Sequence, residues 1–100
     1  MLLERFEDED VLAFQDIKPQ APVHWLIIPK RRDRLTQLRG ATAEHHLLLG
    51  QLLATAAMLA RRHNLRGYRL VINDGAEAQQ SVYHLHVPLL SDRALRWPPG

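Results

Sequence analysis

The apolar positions fall into short clusters over the first thirty residues and into a helical period after residue 42. Residues 2–6 and 11–16 read as two short strands, and the acidic run Glu7-Asp8-Glu9-Asp10 between them as the turn of a hairpin. Residues 17–23 carry Pro19 and Pro22 and form a loop. His24-Trp25-Leu26-Ile27-Ile28 is a strongly apolar third strand, closed by Pro29. Residues 30–40 are polar with scattered Leu, a loop with room for a short turn of helix.

The helix that follows carries its own punctuation. Thr42 is a good N-cap, and Glu44 places a negative charge in the first turn, where the helix dipole favours it. Leu48, Leu52, Ala56 and Leu59 recur at helical spacing, Arg61, Arg62 and His63 fall in the last turn, and Gly67 follows. The element predicted is a helix of about 20 residues. Leu47, Leu49, Leu53, Ala57, Met58 and Ala60 extend its apolar surface around most of the circumference. A helix apolar nearly all round is covered on more than one side. The sheet of so short a chain covers one side; a partner subunit would cover the other, the alternative being a greasy surface helix.

Residues 68–73 form the fourth strand, Asn73-Asp74-Gly75 a turn, residues 76–80 a loop and residues 81–90 the fifth strand. The tail Arg96-Trp97-Pro98-Pro99-Gly100 holds no regular structure. The order β-β-β-α-β-β predicts an α+β domain, an antiparallel five-stranded sheet with one long helix on a face.

Composition narrows the function classes. One hundred residues make one domain, here residues 1–100, and 46% hydrophobic with 24% charged residues is an ordinary folded balance. Thirteen basic against eleven acidic side chains give a net charge of only +2. Lys30-Arg31-Arg32 and Arg61-Arg62 are isolated clusters, not the continuous basic face that a nucleic-acid partner requires. With no Cys there is no disulfide framework and no thiolate zinc site. No apolar run approaches the ~20 residues of a membrane span. The start Met1-Leu2-Leu3-Glu4-Arg5 lacks a signal-like apolar region, so a cytoplasmic location is the default expectation.

The chemistry concentrates in Ser81-Val82-Tyr83-His84-Leu85-His86-Val87-Pro88-Leu89-Leu90. In a strand, Tyr83, Leu85, Val87 and Leu89 point one way and His84 and His86 the other, with Ser81 near the start. The two imidazoles then lie about 7 Å apart on one surface. Such a pair is open to three readings. Its rings are satisfied by hydrogen bonds or water; they bind a metal, although His24, His45, His46 and His63 supply no recognisable metal spacing; or one is a nucleophile or base near neutral pH.

Gln80-Ser81-Val82-Tyr83-His84-Leu85-His86-Val87 closely resembles the His-φ-His-φ-His-φ-φ signature (φ apolar) of the histidine triad, or HIT, family. The likeness to its Hint-type phosphoramidase branch extends to Leu12-Ala13-Phe14-Gln15-Asp16-Ile17, Pro19-Gln20-Ala21-Pro22, residues 24–30, residues 67–75 and Trp97-Pro98-Pro99-Gly100. The family's usual N-terminal helical segment is expected to be absent, since the first expected strand opens at residue 2. The resemblance implies a homodimer with joined sheets that hydrolyses nucleoside 5′-phosphoramidates and related mixed anhydrides, usually of purine nucleosides. It implies no metal and no organic cofactor. By position His86 would attack the α-phosphorus and form a nucleotidyl-histidine that water resolves to the monophosphate. His84 would orient it, and Ser81 would bond near the bridging or leaving atom. Asp16 would bind the ribose hydroxyls, with Phe14, Ile17 and Leu26 around the base and Asn73 and the backbone of Gln80 to Val82 beside the phosphate.

Three positions depart from the family pattern. Pro88 stands where the third His would be, with no side-chain donor and no backbone N–H, and is unusual inside a paired strand. Arg32 stands where a His is usual, and Gln79 replaces a glycine of the phosphate loop, disfavouring any positive φ there. Two expectations follow: a hydrolase weakened by loss of the third His, or a non-catalytic nucleotide-binding or protein-interaction module.

Overall fold

The structure, a computed structural model, describes residues 4–31 and 35–99. The expected strand at residues 2–6 therefore lies partly outside the described residues, and Arg32 wholly so. Five strands form one antiparallel sheet: β1 (Arg5–Glu7), β2 (Val11–Gln15), β3 (Val23–Pro29), β4 (Tyr68–Leu70) and β5 (Val87–Ser91), in the order β1-β2-β3-β5-β4. One helix, α1 (His46–Arg62), lies between β3 and β4 in sequence and packs on β2 and β3. The acidic run does make the β1–β2 turn: Asp8 Oδ1 accepts from the N–H groups of Asp10 and Val11, an Asp closing its own turn.

Period-2 alternation gives the sheet two faces. Val11 and Ala13 of β2, Trp25 and Ile27 of β3, and Val87 and Leu89 of β5 are buried against Leu52, Ala56 and Leu59 of α1. The registers Ala13↔Ile27↔Val87 and Trp25↔Leu89 carry this apolar row across the three strands. On the opposite face the intervening positions make a second row, Phe14↔Leu26↔Pro88, with Leu12 opposite Ile28.

Thr42 caps as expected, but a 3-10 turn (Ala43–His45) precedes the α-helix, and His45 takes the reciprocal place of a capping-box Glu or Gln: its Nδ1 accepts from the Thr42 N–H at 2.9 Å. The predicted breadth of the helix's apolar surface is visible as exposure. Leu47 is 75% and Leu53 53% exposed, and Gly50 and Ala54 lie exposed with them.

Both C-terminal strands are shorter than the sequence suggested, and two prolines explain it. Val71 donates to the Pro88 carbonyl at 3.0 Å, one step beyond the last β4–β5 pair, Leu70↔Leu89. An antiparallel bonded pair exchanges two hydrogen bonds, and Pro88 has no N–H to return. The ladder ends there, so β4 is Tyr68–Leu70 and not residues 68–73. On the other side of β5 the last pair is Ile27↔Val87, and the next bonded position would set Pro29 against Leu85. Pro29 likewise has no N–H to give, so residues 81–86 leave the sheet and β5 is Val87–Ser91 rather than residues 81–90. Because Pro88 directs its backbone towards β4, its pairing position against Leu26 is kept.

Residues 76–78 form a 3-10 turn, and the next residue, Gln79, has φ 69° and ψ 24°. The left-handed region costs an L-residue roughly 1–2 kcal/mol, partly offset by the smaller chain entropy it loses relative to glycine. Gln79→Gly is therefore expected to stabilise the fold by about 0.5–1 kcal/mol, a rise in Tm of about 3–6 °C for a domain this size. A thermal melt in which the variant unfolds at or below the parent temperature would show that the strain is relieved some other way.

Candidate active site

On the sheet face away from α1 lies an open cavity of about 390 Å³. Its floor is the cross-strand row Phe14, Leu26 and Pro88, extended by Ile28. His84 and His86 stand on one side, Asn73 and Val82 border it, and Asp16 with His24 closes the far end. Release of residues 81–86 from the ladder is what brings both histidines over this floor.

Carbonyl partners decide which nitrogen of each ring carries hydrogen, since a carbonyl oxygen only accepts. His86 Nδ1 donates to the backbone carbonyl of His84 at 2.8 Å, leaving the lone pair of Nε2 uncommitted. His84 Nε2 donates to the carbonyl of Pro29 at 3.0 Å. That carbonyl is free because the ladder stopped at Pro29. One proline thus ends a strand and anchors a ring, and the anchored segment's own carbonyl orients the second ring.

The far end is a polar pair of buried His24 and half-buried Asp16. Asp16 Oδ1 accepts from the Lys18 N–H at 2.8 Å, and its Oδ2 lies 3.6 Å from His24 Nε2. His24 Nδ1 accepts from the Gln20 N–H at 3.0 Å, which places the ring hydrogen on Nε2. His24 is only 8% exposed, and its Nε2 has no hydrogen-bond partner. Burial pushes its pKa below the ordinary histidine value, against a smaller opposing pull from Asp16.

The loop bearing Asn73 and Val82 is braced from within. Buried Gln80 accepts at Oε1 from the Gly75 N–H (2.8 Å) and from Gln37 Nε2 (3.2 Å), and its own Nε2 donates to the carbonyls of Thr36 (2.9 Å) and Val82 (3.2 Å). Asp74 receives the Arg39 backbone N–H at 3.0 Å and its Nε at 3.1 Å. Gly75 has φ 96°, and a Cβ there would meet Arg39 Nη2 at 2.7 Å, so the clamp requires glycine.

Of the residues singled out in sequence, the cavity gathers Phe14, Asp16, Leu26, Asn73, Val82, His84 and His86. Ile17 is 82% exposed outside it, Ser81 is exposed and not part of its lining, and the Gln80 side chain is turned into the loop brace. Sequence reasoning did not include His24, Ile28 and Pro88 as walls. The signal existed: His24 and Ile28 share the parity of Leu26 along β3, and Pro88 that of His86. Among the described residues no three or more His, Asp or Glu side chains converge as a metal site needs.

A family model described as "Scavenger mRNA decapping enzyme C-term binding" matches residues 3–95. The chain is 55% identical over 96 residues to the adenylylsulfatase HINT1 of Arabidopsis thaliana, covering 95% of this chain and 65% of that protein's length. It superposes on a HIT family hydrolase from Legionella pneumophila with a TM-score of 0.92 at 42% identity, covering 100% of this chain and 90% of that one. For a histidine triad protein from Clostridium difficile the TM-score is 0.86 at 27% identity, over 96% and 84% of the two chains. With the antiparallel five-stranded sheet, the single long helix and the His84–His86 segment in place, these likenesses show that the chain belongs to the histidine triad (HIT) family, on its Hint-type branch.

Proposed function

We propose that the protein is a nucleotide-binding hydrolase that takes the nucleoside monophosphate of a purine nucleoside 5′-phosphoramidate or mixed anhydride onto His86 and passes it to water. The observation that carries this reading is the His86 Nδ1–H to His84 carbonyl bond, which leaves Nε2 as a lone pair at the edge of a mononucleotide-sized cavity. The similarity to an adenylylsulfatase and to a HIT family hydrolase supports the same class of chemistry.

In this reading Asp16 takes the ribose hydroxyls, and Phe14 and Leu26 supply the apolar contact for the base, with Ile17 closing over it. Asn73 and the backbone from Gln80 to Val82 meet the phosphate, Ser81 bonds near the leaving atom, and His84 orients His86. The reaction needs no metal or organic cofactor and belongs in the cytoplasm. Loss of the third His lowers the rate, since a missing general acid costs about 10²–10⁴-fold. Mixing the protein with adenosine 5′-phosphosulfate, quenching, and mapping the labelled peptide should place adenylate on His86 and free AMP in solution. Turnover with the label on another residue rejects the nucleophile; no AMP and no label rejects the enzyme.

A second copy of the chain is the proposed cover for the exposed Leu47, Gly50, Leu53 and Ala54 face of α1. Sedimentation at micromolar concentration should give twice the chain mass of 11.5 kDa. A single-chain mass at that concentration leaves α1 as an unpartnered surface helix.

A further inference from the structure

Phosphoryl transfer to His86 has two ends, and the cavity equips them unequally. At the entering end Nε2 has its lone pair free. At the leaving end a donor is needed whenever the departing group is a strong base. Among the described residues lining the cavity the candidates are His24, His84, Asn73 and His86 itself. His86 carries its hydrogen on the far nitrogen, bonded to a carbonyl. His84 commits Nε2–H to Pro29. His24 sits at the Asp16 end, where burial disfavours its protonated form. The Asn73 amide, and the Ser81 hydroxyl that the proposed function sets near the leaving atom, hydrogen-bond but are no proton donors in the acid–base sense, and the Asp16 carboxylate accepts from the Lys18 N–H at the far end. The one position of β5 that shares a face with His86 and stands in the cavity floor is Pro88, which carries neither a side-chain donor nor an N–H.

We infer that this site ranks its substrates by the basicity of the leaving group: it cleaves mixed anhydrides of a nucleoside 5′-monophosphate with an acid whose anion leaves unprotonated, such as sulfate, in strong preference to phosphoramidates. With a phosphosulfate the His86 Nε2 pair forms the N–P bond, the P–O bond to sulfate breaks, and its electron pair departs with sulfate as a stable dianion. No proton enters. Water then attacks phosphorus, the N–P pair returns to Nε2, and the water proton is released to solvent with AMP. With a phosphoramidate the first step must break P–N. The pair would leave on nitrogen as an amide anion unless a proton arrives before or with P–N cleavage, and among the described residues lining the cavity no group is placed to send it. The penalty from the missing acid therefore falls on one substrate class and hardly on the other, at the size general acid catalysis usually has, about 10²–10⁴-fold. This selectivity rests on His86 being the nucleophile.

The test compares kcat/KM for adenosine 5′-phosphosulfate and adenosine 5′-phosphoramidate, a quantity confined to steps up to departure of the leaving group and so blind to slow release of the adenylyl-enzyme. The parent protein is expected to prefer the phosphosulfate by about 10²-fold or more. Pro88→His should shift the ratio towards the phosphoramidate by about 10²-fold. Pro88→Ala restores the backbone N–H without an imidazole and should leave the ratio where it is. Equal use of the two substrates by the parent, or an equal shift of the ratio by both variants, overturns the selectivity while leaving His86 as nucleophile. Failure to turn over either substrate removes that nucleophile and the selectivity with it.

Discussion

His86→Ala is expected to lower kcat/KM for AMP release by about 10⁴-fold or more, because no later group can replace a covalent nucleophile. That corresponds to about 5 kcal/mol or more of lost transition-state stabilisation. The fold should survive, since the His86 ring is only partly buried and its one hydrogen bond is to a backbone carbonyl. A coincident urea melt for parent and variant, with AMP release lost, is the expected pair of results. His84→Ala should act more gently. The acceptor that fixes the His86 tautomer is the backbone carbonyl of residue 84, which Ala retains; what disappears is the side-chain anchor to Pro29. Comparable losses in the two variants would mean that the ring of His84, and not its carbonyl alone, is needed to hold His86 for attack. Release by His86→Ala within tenfold of the parent would end the covalent mechanism.

The arrangement that makes this prediction possible was legible in the sequence only in part. The apolar run at residues 24–28 and the punctuated helix after Thr42 appear much as their patterns indicate, because each carries its own signal: a continuous apolar strand, and a cap with charged ends. The α+β order and the antiparallel sheet follow from them. The bounds of β4 and β5 were not legible, because each depends on a proline in a neighbouring strand. Val71-Ile72 has the local properties of a strand, and Pro88, on the far side of a long loop, withholds the bond that would extend it. The same holds for residues 81–86 and Pro29.

Candidate site residues divide along a similar line. His86, His84, Asp16 and Asn73 could be named because the signature and its neighbouring segments mark them. The parity of β3 places His24 on the cavity face, but its tautomer was not legible, since that is set by the Gln20 N–H bonding Nδ1 from the preceding loop. Gln80 was named for its backbone, but its side chain spends all four hydrogen bonds on segments as distant in sequence as Thr36. Gln79 was expected to disfavour a positive φ, yet the chain adopts φ 69° there, the conformation a glycine would take without strain.

Trp25→Ala is expected to cost about 3–5 kcal/mol, the range for truncating a large buried aromatic. Trp25 is 2% exposed at the centre of β3, opposite Gln15 on one side and Leu89 on the other, with the His63 ring 5.5 Å away at the end of α1. No neighbour can fill the void, because the sheet fixes its partners and α1 is held by Leu52, Ala56 and Leu59. Against a total stability of about 5–15 kcal/mol this is a large fraction, and it lowers Tm by about 15–30 °C. The loss reaches the site through the strand itself. His24 and Leu26, the residues on either side of Trp25, face the cavity, so the side chain buried between them sets how firmly that wall is held. Well below the new Tm, the folded fraction should still label His86, and activity should fall along the same curve as the melt. A variant that melts within a few degrees of the parent would mean that β3 is not held by its inner face. A variant that stays folded yet fails to label His86 would mean that the cavity, unlike the fold, does not tolerate a loosened β3.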